Sequence, residues 1–234
     1  MGPLRHLLAL VTFLASSWSC GDSYVLGTNQ IIDVIWPGVK PSVVQAYQEL
    51  GHDLTFEYLP MSRAMVLSDK GLLDGELLRV KDYGNTAEML VRVPTPIATE
   101  RLVAFAHVDV NLKSTEDIRQ LSMVGLVGAH INQEMVARDQ PAEYIATKSF
   151  TSAFKMIAAR RADFVLVTES TGLTLQKSLN LREVVMSKID FGLQFFHHWV
   201  HRDHQYLVEP LDRQFKHLIE QGHFPSTESG FALP

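Results

Sequence analysis

Cysteine is all but missing from this chain. Cys20 is the only one in 234 residues, so no internal disulfide can form and the fold cannot rest on one. A basic surplus is missing too. The net charge is −5, and no basic cluster occurs beyond the extreme N-terminus. Binding a phosphate backbone needs a basic face, so the balance argues against nucleic acid as a partner. Long hydrophobic runs are absent apart from residues 7–15, about half of the ~20 needed to span a bilayer. There is no Gly-x-Ser-x-Gly, phosphate loop or zinc helix motif. Low-complexity linkers and internal repeats are also lacking.

What is present begins with the N-terminus. Arg5 and His6 precede the apolar run 7–15, followed by Ser16, Ser17 and Ser19. A charged start, an apolar stretch and small residues predict a signal peptide over 1–20 and export to the periplasm. Cys20 ends that segment and raises lipoprotein anchoring. Trp18 and Ser17 suit a lipidation site poorly, so cleavage near Ser19 and a soluble product are expected.

The chain as a whole is 20% charged and 46% hydrophobic, ordinary globular composition with enough apolar mass for a sizeable core. Its organising stretch is 54–80. Leu54, Phe56 and Tyr58 alternate with polar residues as a strand does. Pro60 ends the strand, Ala64, Val66 and Leu67 predict a helix, Gly71 stops it, and 76–80 predicts a second strand. Before this unit come a strand at 24–27, a loop over 29–38 and a helix closed by Gly51. After it, 81–86 reads as a polar loop. Strands are expected at 90–93 and 101–110, with Pro94 and Pro96 interrupting between them. Ser114 and Asp117 form a capping box for a short helix. Helices at 131–138, 151–161 and 173–179 alternate with strands at 122–127, 144–147, 164–167 and 183–186. A last strand at 195–200 leads to a helix over 206–222, with Leu207, Leu211, Phe215 and Leu218 on one stripe. The fold class is therefore α/β, with two groups of strands and helices and a closing helix.

Several of these segments carry a family resemblance. Leu59-Pro-x-x-Arg63 and Lys70-Gly-x-x-Asp74-Gly-Glu76 resemble the first lobe of bacterial solute-binding proteins of family 3. These are periplasmic binding proteins of type II that serve amino-acid ABC transporters. Residues 123–128 are similar to the strand and glycine turn that open the second lobe. Ala158-Ala-Arg-Arg-Ala-Asp163 and the run from Phe195 through His201 and His204 resemble later motifs. The resemblance implies a two-lobed fold, each lobe a mixed sheet flanked by helices. Lobe 1 would span 21–99 plus 196–234, and lobe 2 would span 100–195. Two hinge strands would cross near 98–102 and 192–196. A cleft would close on a small polar solute, for delivery to a membrane permease or report to a sensor. A monomer is expected, without cofactor. A dehydratase-like enzyme on the same scaffold, or a sensory module, are the alternatives. Met89 stands where family members that bind amino acids carry an arginine.

Candidate ligand residues follow from these positions. Arg63 lies in the first turn after Pro60. Glu76 and Arg79 lie three apart on one strand, which places them on opposite faces of a regular strand. Pro96 and Ile97 occupy the place of a family Pro-Tyr whose backbone lines the cleft. Gly128, Ala129 and His130 precede a helix whose N–H groups suit an anion. Thr168 and Glu169 end a buried strand, where relatives place an acid. His197, His198, His201 and His204 crowd into eight residues, but an extended run converges poorly on a metal. They are expected as exposed imidazoles on a hinge strand. No catalytic or metal-ligating residue is assigned.

Overall fold

A computed structural model of the chain describes residues 21–224. The expected signal segment, with Cys20, lies outside the described residues. The strands are β1 (Ser23–Thr28), β2 (Asp53–Tyr58), β3 (Gly75–Val80), β4 (Leu90–His107), β5 (Ser122–Leu126), β6 (Glu143–Thr147), β7 (Phe164–Thr168), β8 (Val184–Met186) and β9 (Leu193–His201). The α-helices are α1 (Gln30–Ile35), α2 (Val39–Glu49), α3 (Met61–Asp69), α4 (His130–Asp139), α5 (Phe150–Ala158), α6 (Glu169–Ser178) and α7 (Val208–Glu220).

The sheet order is β2-β1-β3-β9-β4-β7-β5-β6, with β8 also on β4. The βαβ units set β1, β2 and β3 parallel, and β5, β6 and β7 parallel. β9 runs antiparallel between β3 and β4. β4 joins the two halves. Through Arg101 it pairs with β9, and from Leu102 it pairs with β7. Leu102 N–H donates to the Gly192 carbonyl (2.9 Å) at the crossing. Gly192 has φ +86, a turn that suits glycine because it lacks a Cβ.

Each half has its own core. In the first, α2 and α7 cover one sheet face around Val43, Tyr47, Leu77 and Val200. Leu207, Leu211, Phe215 and Leu218 are all buried there, so the predicted stripe is the seam. Each such side chain contributes roughly 1.5–3 kcal/mol. Tyr83, Leu90 and Trp199 fill the other face. In the second half, Phe105, Phe154 and Val165 form one cluster, and Met123, Phe164 and Leu166 form the other.

Four local expectations need correcting. The loop over 29–38 contains α1, because Asn29 caps it and accepts from Ile31 N–H (3.2 Å). α6 starts at Glu169, four residues before 173. The prolines do not split β4. Register shifts fall between Arg92 and Pro96, and again between Pro96 and Ala98. Pro94 therefore sits where the ladder is interrupted, Pro96 pairs with His197 between the two irregularities, and Thr95 N–H donates to Asp212 (2.7 Å) on α7. Finally, His197, His198 and His201 are buried rather than exposed, because β9 is an interior strand covered on both faces.

Candidate functional site

The C-terminal ends of β1, β3, β5 and β7 face a common gap between the halves. Open α/β sheets leave a crevice at that edge. The gap encloses about 100 Å³, well above the ~10–15 Å³ that one water needs. Its walls are mostly apolar. Ile31, Trp36 and Leu78 line it from the first half, Phe150, Leu102 and Leu166 from the second. Phe196, on the crossing strand β9, completes the floor. The halves meet at its rim. Thr86 Oγ1 lies 3.1 Å from His130 Nδ1. Gly128 presses so closely on Ser62 that an added Cβ would stand 2.7 Å from the Ser62 nitrogen. Near the other end, Ser170 N–H donates to Glu100 Oε2 (3.2 Å). Burial pushes the Glu100 carboxyl up, and the bonds from Ser170 and Trp36 pull the other way.

Glu76 and Arg79 do not face opposite ways. β3 carries one extra residue against β9 between them: Glu76 pairs with Trp199 and Arg79 with His197. That bulge turns both side chains to one side. Arg79 Nε donates to Glu76 Oε2 (2.7 Å), and Nη2 lies 2.5 Å from the same oxygen. Tyr83 O–H donates to Glu76 Oε1 (2.6 Å). Both carboxylate oxygens are thus engaged. Burial lowers the tendency of Arg79 to hold its proton, yet the Glu76 charge and Tyr83 keep its pKa above the ordinary value. Burial pushes the Tyr83 phenol well up. Arg79 Nη2 also donates to the Met61 carbonyl (3.2 Å) at the start of α3. Arg79 lines the gap with its side chain only 6% exposed. Its Nη1 makes no hydrogen bond among the described residues.

Three helices begin at this gap with no hydrogen bond from the side chain of their N-cap residue, α3 after Pro60, α4 after Ala129 and α6 after Thr168, and the last has Ser170 N–H bonded to Glu100. Their first N–H groups lack intrahelical partners, and their dipoles turn the positive end inward.

The predicted residues are distributed unevenly around the gap. Arg79, Gly128, Ala129, His130 and Thr168 line it. Thr168 O–H donates to Thr171 (2.8 Å), another lining residue. Glu76 stands behind Arg79. Arg63 is exposed on α3 and is not among the lining residues. Ile97 is fully buried in the first core, with Pro96 beside it. Glu169 is half-exposed and lies 3.7 Å from Arg101. Met89 does not line the gap either; its N–H donates to Asp69 (2.9 Å).

Sequence reasoning passed over Trp36, Tyr83, Asn132, Phe150 and Phe196. Their signal was positional, since most follow a strand's C-terminal end closely, where crevices form. Asn132 is 1% exposed. With its amide nitrogen toward the Leu166 carbonyl (3.2 Å) and its oxygen toward Leu126 N–H (2.9 Å), it ties α4 to the sheet. Among the described residues no group of three or more His, Cys, Asp or Glu could hold a metal. No described helix is long and apolar enough to cross a membrane.

No family model matches the chain. An uncharacterized protein of Shewanella oneidensis is 24% identical over 189 residues, covering 76% of this chain and 70% of that one. Among solved structures, a histidine kinase sensor domain with similarity to periplasmic binding proteins superposes with TM-score 0.74 at 16% identity, covering 86% of this chain and 91% of that one. An ancestral arginine-binding protein bound to glutamine gives 0.71 at 13% identity, covering 86% and 93%. An amino acid ABC transporter substrate-binding protein from Streptococcus pneumoniae, bound to L-arginine, gives 0.68 at 14% identity, covering 86% and 90%. The fold of this chain is that of the two-lobed periplasmic binding proteins.

Proposed function

We propose that this chain is an exported, non-catalytic solute-binding protein, a divergent relative of family 3. It captures a small solute in the gap and presents the closed form to a membrane permease of the ABC type. The observation that carries this reading is the gap itself: a buried, largely apolar space at the strand ends, with walls from both halves. A ligand touching both walls at once favours the closed state by its differential contacts. The lobes would divide near 99/100 and 195/196, with β4 and the segment entering β9 as hinges.

A sensory role is the second reading. It is favoured by the likeness to a sensor domain at the same fold and coverage as the transport proteins. Both readings use the same closure and differ in the membrane partner, which co-purification from the envelope would distinguish.

Gly128 supplies the test. It has φ +84, and a Cβ there would collide with the Ser62 backbone. Gly128→Ala should block full closure. A thermal-shift screen of the mature wild type against organic acids, amino acids, amines and sugars should find a stabilising solute. At a hundredfold excess over Kd the gain is about 2.7 kcal/mol. The variant should lose that gain while the unliganded protein gives up only about 1–2 kcal/mol for the left-handed backbone. An unchanged ligand response in Gly128→Ala would sink the closure reading.

A further inference from the structure

The lining of the gap says which charge its ligand carries. No Asp or Glu is among the lining residues. Three carboxylates sit on or beside lining residues, and each is already committed: Glu76 holds Arg79 and Tyr83, Glu100 accepts from Ser170 N–H, and the half-exposed Glu134 lies 3.2 Å from His130 Nε2. A buried ammonium would therefore find no free carboxylate on these walls. It would also face the positive ends of α3 and α4, and burying an unpaired charge is costly.

An anion meets an open donor instead, although the Arg79 charge is itself paired with Glu76. The Arg79 guanidinium lines the gap, is more than nine-tenths buried and keeps Nη1 without a hydrogen-bond partner among the described residues. Ala129 and His130, at the uncapped start of α4, line the same space. Guanidinium and backbone N–H together suit a carboxylate. The remainder of the lining, with Trp36, Phe150, Phe196 and Ile31, offers an apolar body little but hydrophobic contact.

We propose that the solute is a small monocarboxylate with an apolar or aromatic body and no ammonium group. Its carboxylate sits between Arg79 and the start of α4, and its body lies among the aromatic side chains. This rests on the solute-binding reading and narrows it, replacing a generally polar solute by an acid of one charge.

The test is a matched charge series on the full mature chain, read by calorimetric titration. Phenylacetate, phenylacetamide, 2-phenylethylamine and L-phenylalanine share one ring and differ in charge. Hexanoate and hexylamine repeat the comparison on an aliphatic body. At least one of the two acids should bind, with its amide, amine and amino-acid counterparts at least tenfold weaker. The Glu76→Gln/Arg79→Gln double variant removes both charges and the guanidinium. It should weaken the acid by about tenfold to a hundredfold and leave the amide unchanged. The wild-type series stands even if that variant fails to fold. An amine or L-phenylalanine that binds as tightly as the acid overturns the inference and leaves the solute-binding reading intact. Silence from both acids at millimolar concentration also overturns it. In that case the broad screen decides separately whether any solute binds.

Discussion

The two halves handle buried polarity differently. The first half buries an ion pair capped by a phenol, Glu76–Arg79–Tyr83. It also buries His198, whose Nε2 lies 2.9 Å from the Tyr47 hydroxyl and whose Nδ1 lies 3.2 Å from the Leu77 carbonyl. The second half is built from two apolar clusters. Of its buried polar residues, Asn132, Thr168 and Thr171 are uncharged, and His107 lies away from the lining of the gap. A buried ion pair adds little net stability over a well-packed apolar one. Its presence beside the gap, and on one side only, is better explained by ligand recognition. On the proposed reading, the first half would supply the charge, and the second backbone N–H groups and apolar wall.

The largest way to break the comparison is to remove Arg79. Arg79→Ala leaves the Glu76 carboxylate buried and unpaired, and should cost about 3–5 kcal/mol in urea unfolding. The volume-matched pair Glu76→Leu/Arg79→Met should recover most of that loss while binding no acid. Recovery of stability together with ligand binding would contradict the division of labour.

Acid should expose the same asymmetry. Burial holds the His197 and His198 imidazoles down at about 4, against about 6.5 in the unfolded chain. Between those values the unfolded state binds more protons than the folded one, so stability falls as pH drops from about 6.5 to 4. The loss is up to about 3 kcal/mol for each histidine. His198→Gln should flatten that limb by about half. An unchanged slope in the variant would show that the acid sensitivity arises elsewhere.

The smallest effect belongs to the second half, where only packing is at stake. A Cβ on Gly172 would collide with the Phe105 ring. Gly172→Ala should cost about 1–3 kcal/mol by overpacking, with no change in pH slope. A thermal melt at pH 7 and pH 5 reads both at once.

Much of the fold was legible because its signals are local. Alternation marked β2, the stripe on α7 marked the seam against the first core, and Ser114 with Asp117 forms the capping box as read. What escaped depends on tertiary context. The bulge that turns Glu76 toward Arg79 is set by pairing with β9 across more than a hundred residues. The continuity of β4 through Pro94 and Pro96 depends on Asp212 of α7 receiving Thr95 N–H. Burial of the histidines follows from β9 being interior, which a sequence of four clustered imidazoles does not announce. The site was half legible for the same reason. Gly128, Ala129 and His130 were readable as a helix start, whereas the aromatic walls, Trp36, Tyr83, Phe150 and Phe196, come from four separate segments that only the sheet order brings together.

Small-angle scattering of the mature protein, with and without a saturating solute from the screen, tests the central claim most directly. The solute-loaded profile should match the closed molecule with Gly128 against Ser62, and the free protein and Gly128→Ala should both be more extended. Superimposable profiles for loaded and free protein, at full occupancy, would contradict closure of two lobes on a ligand.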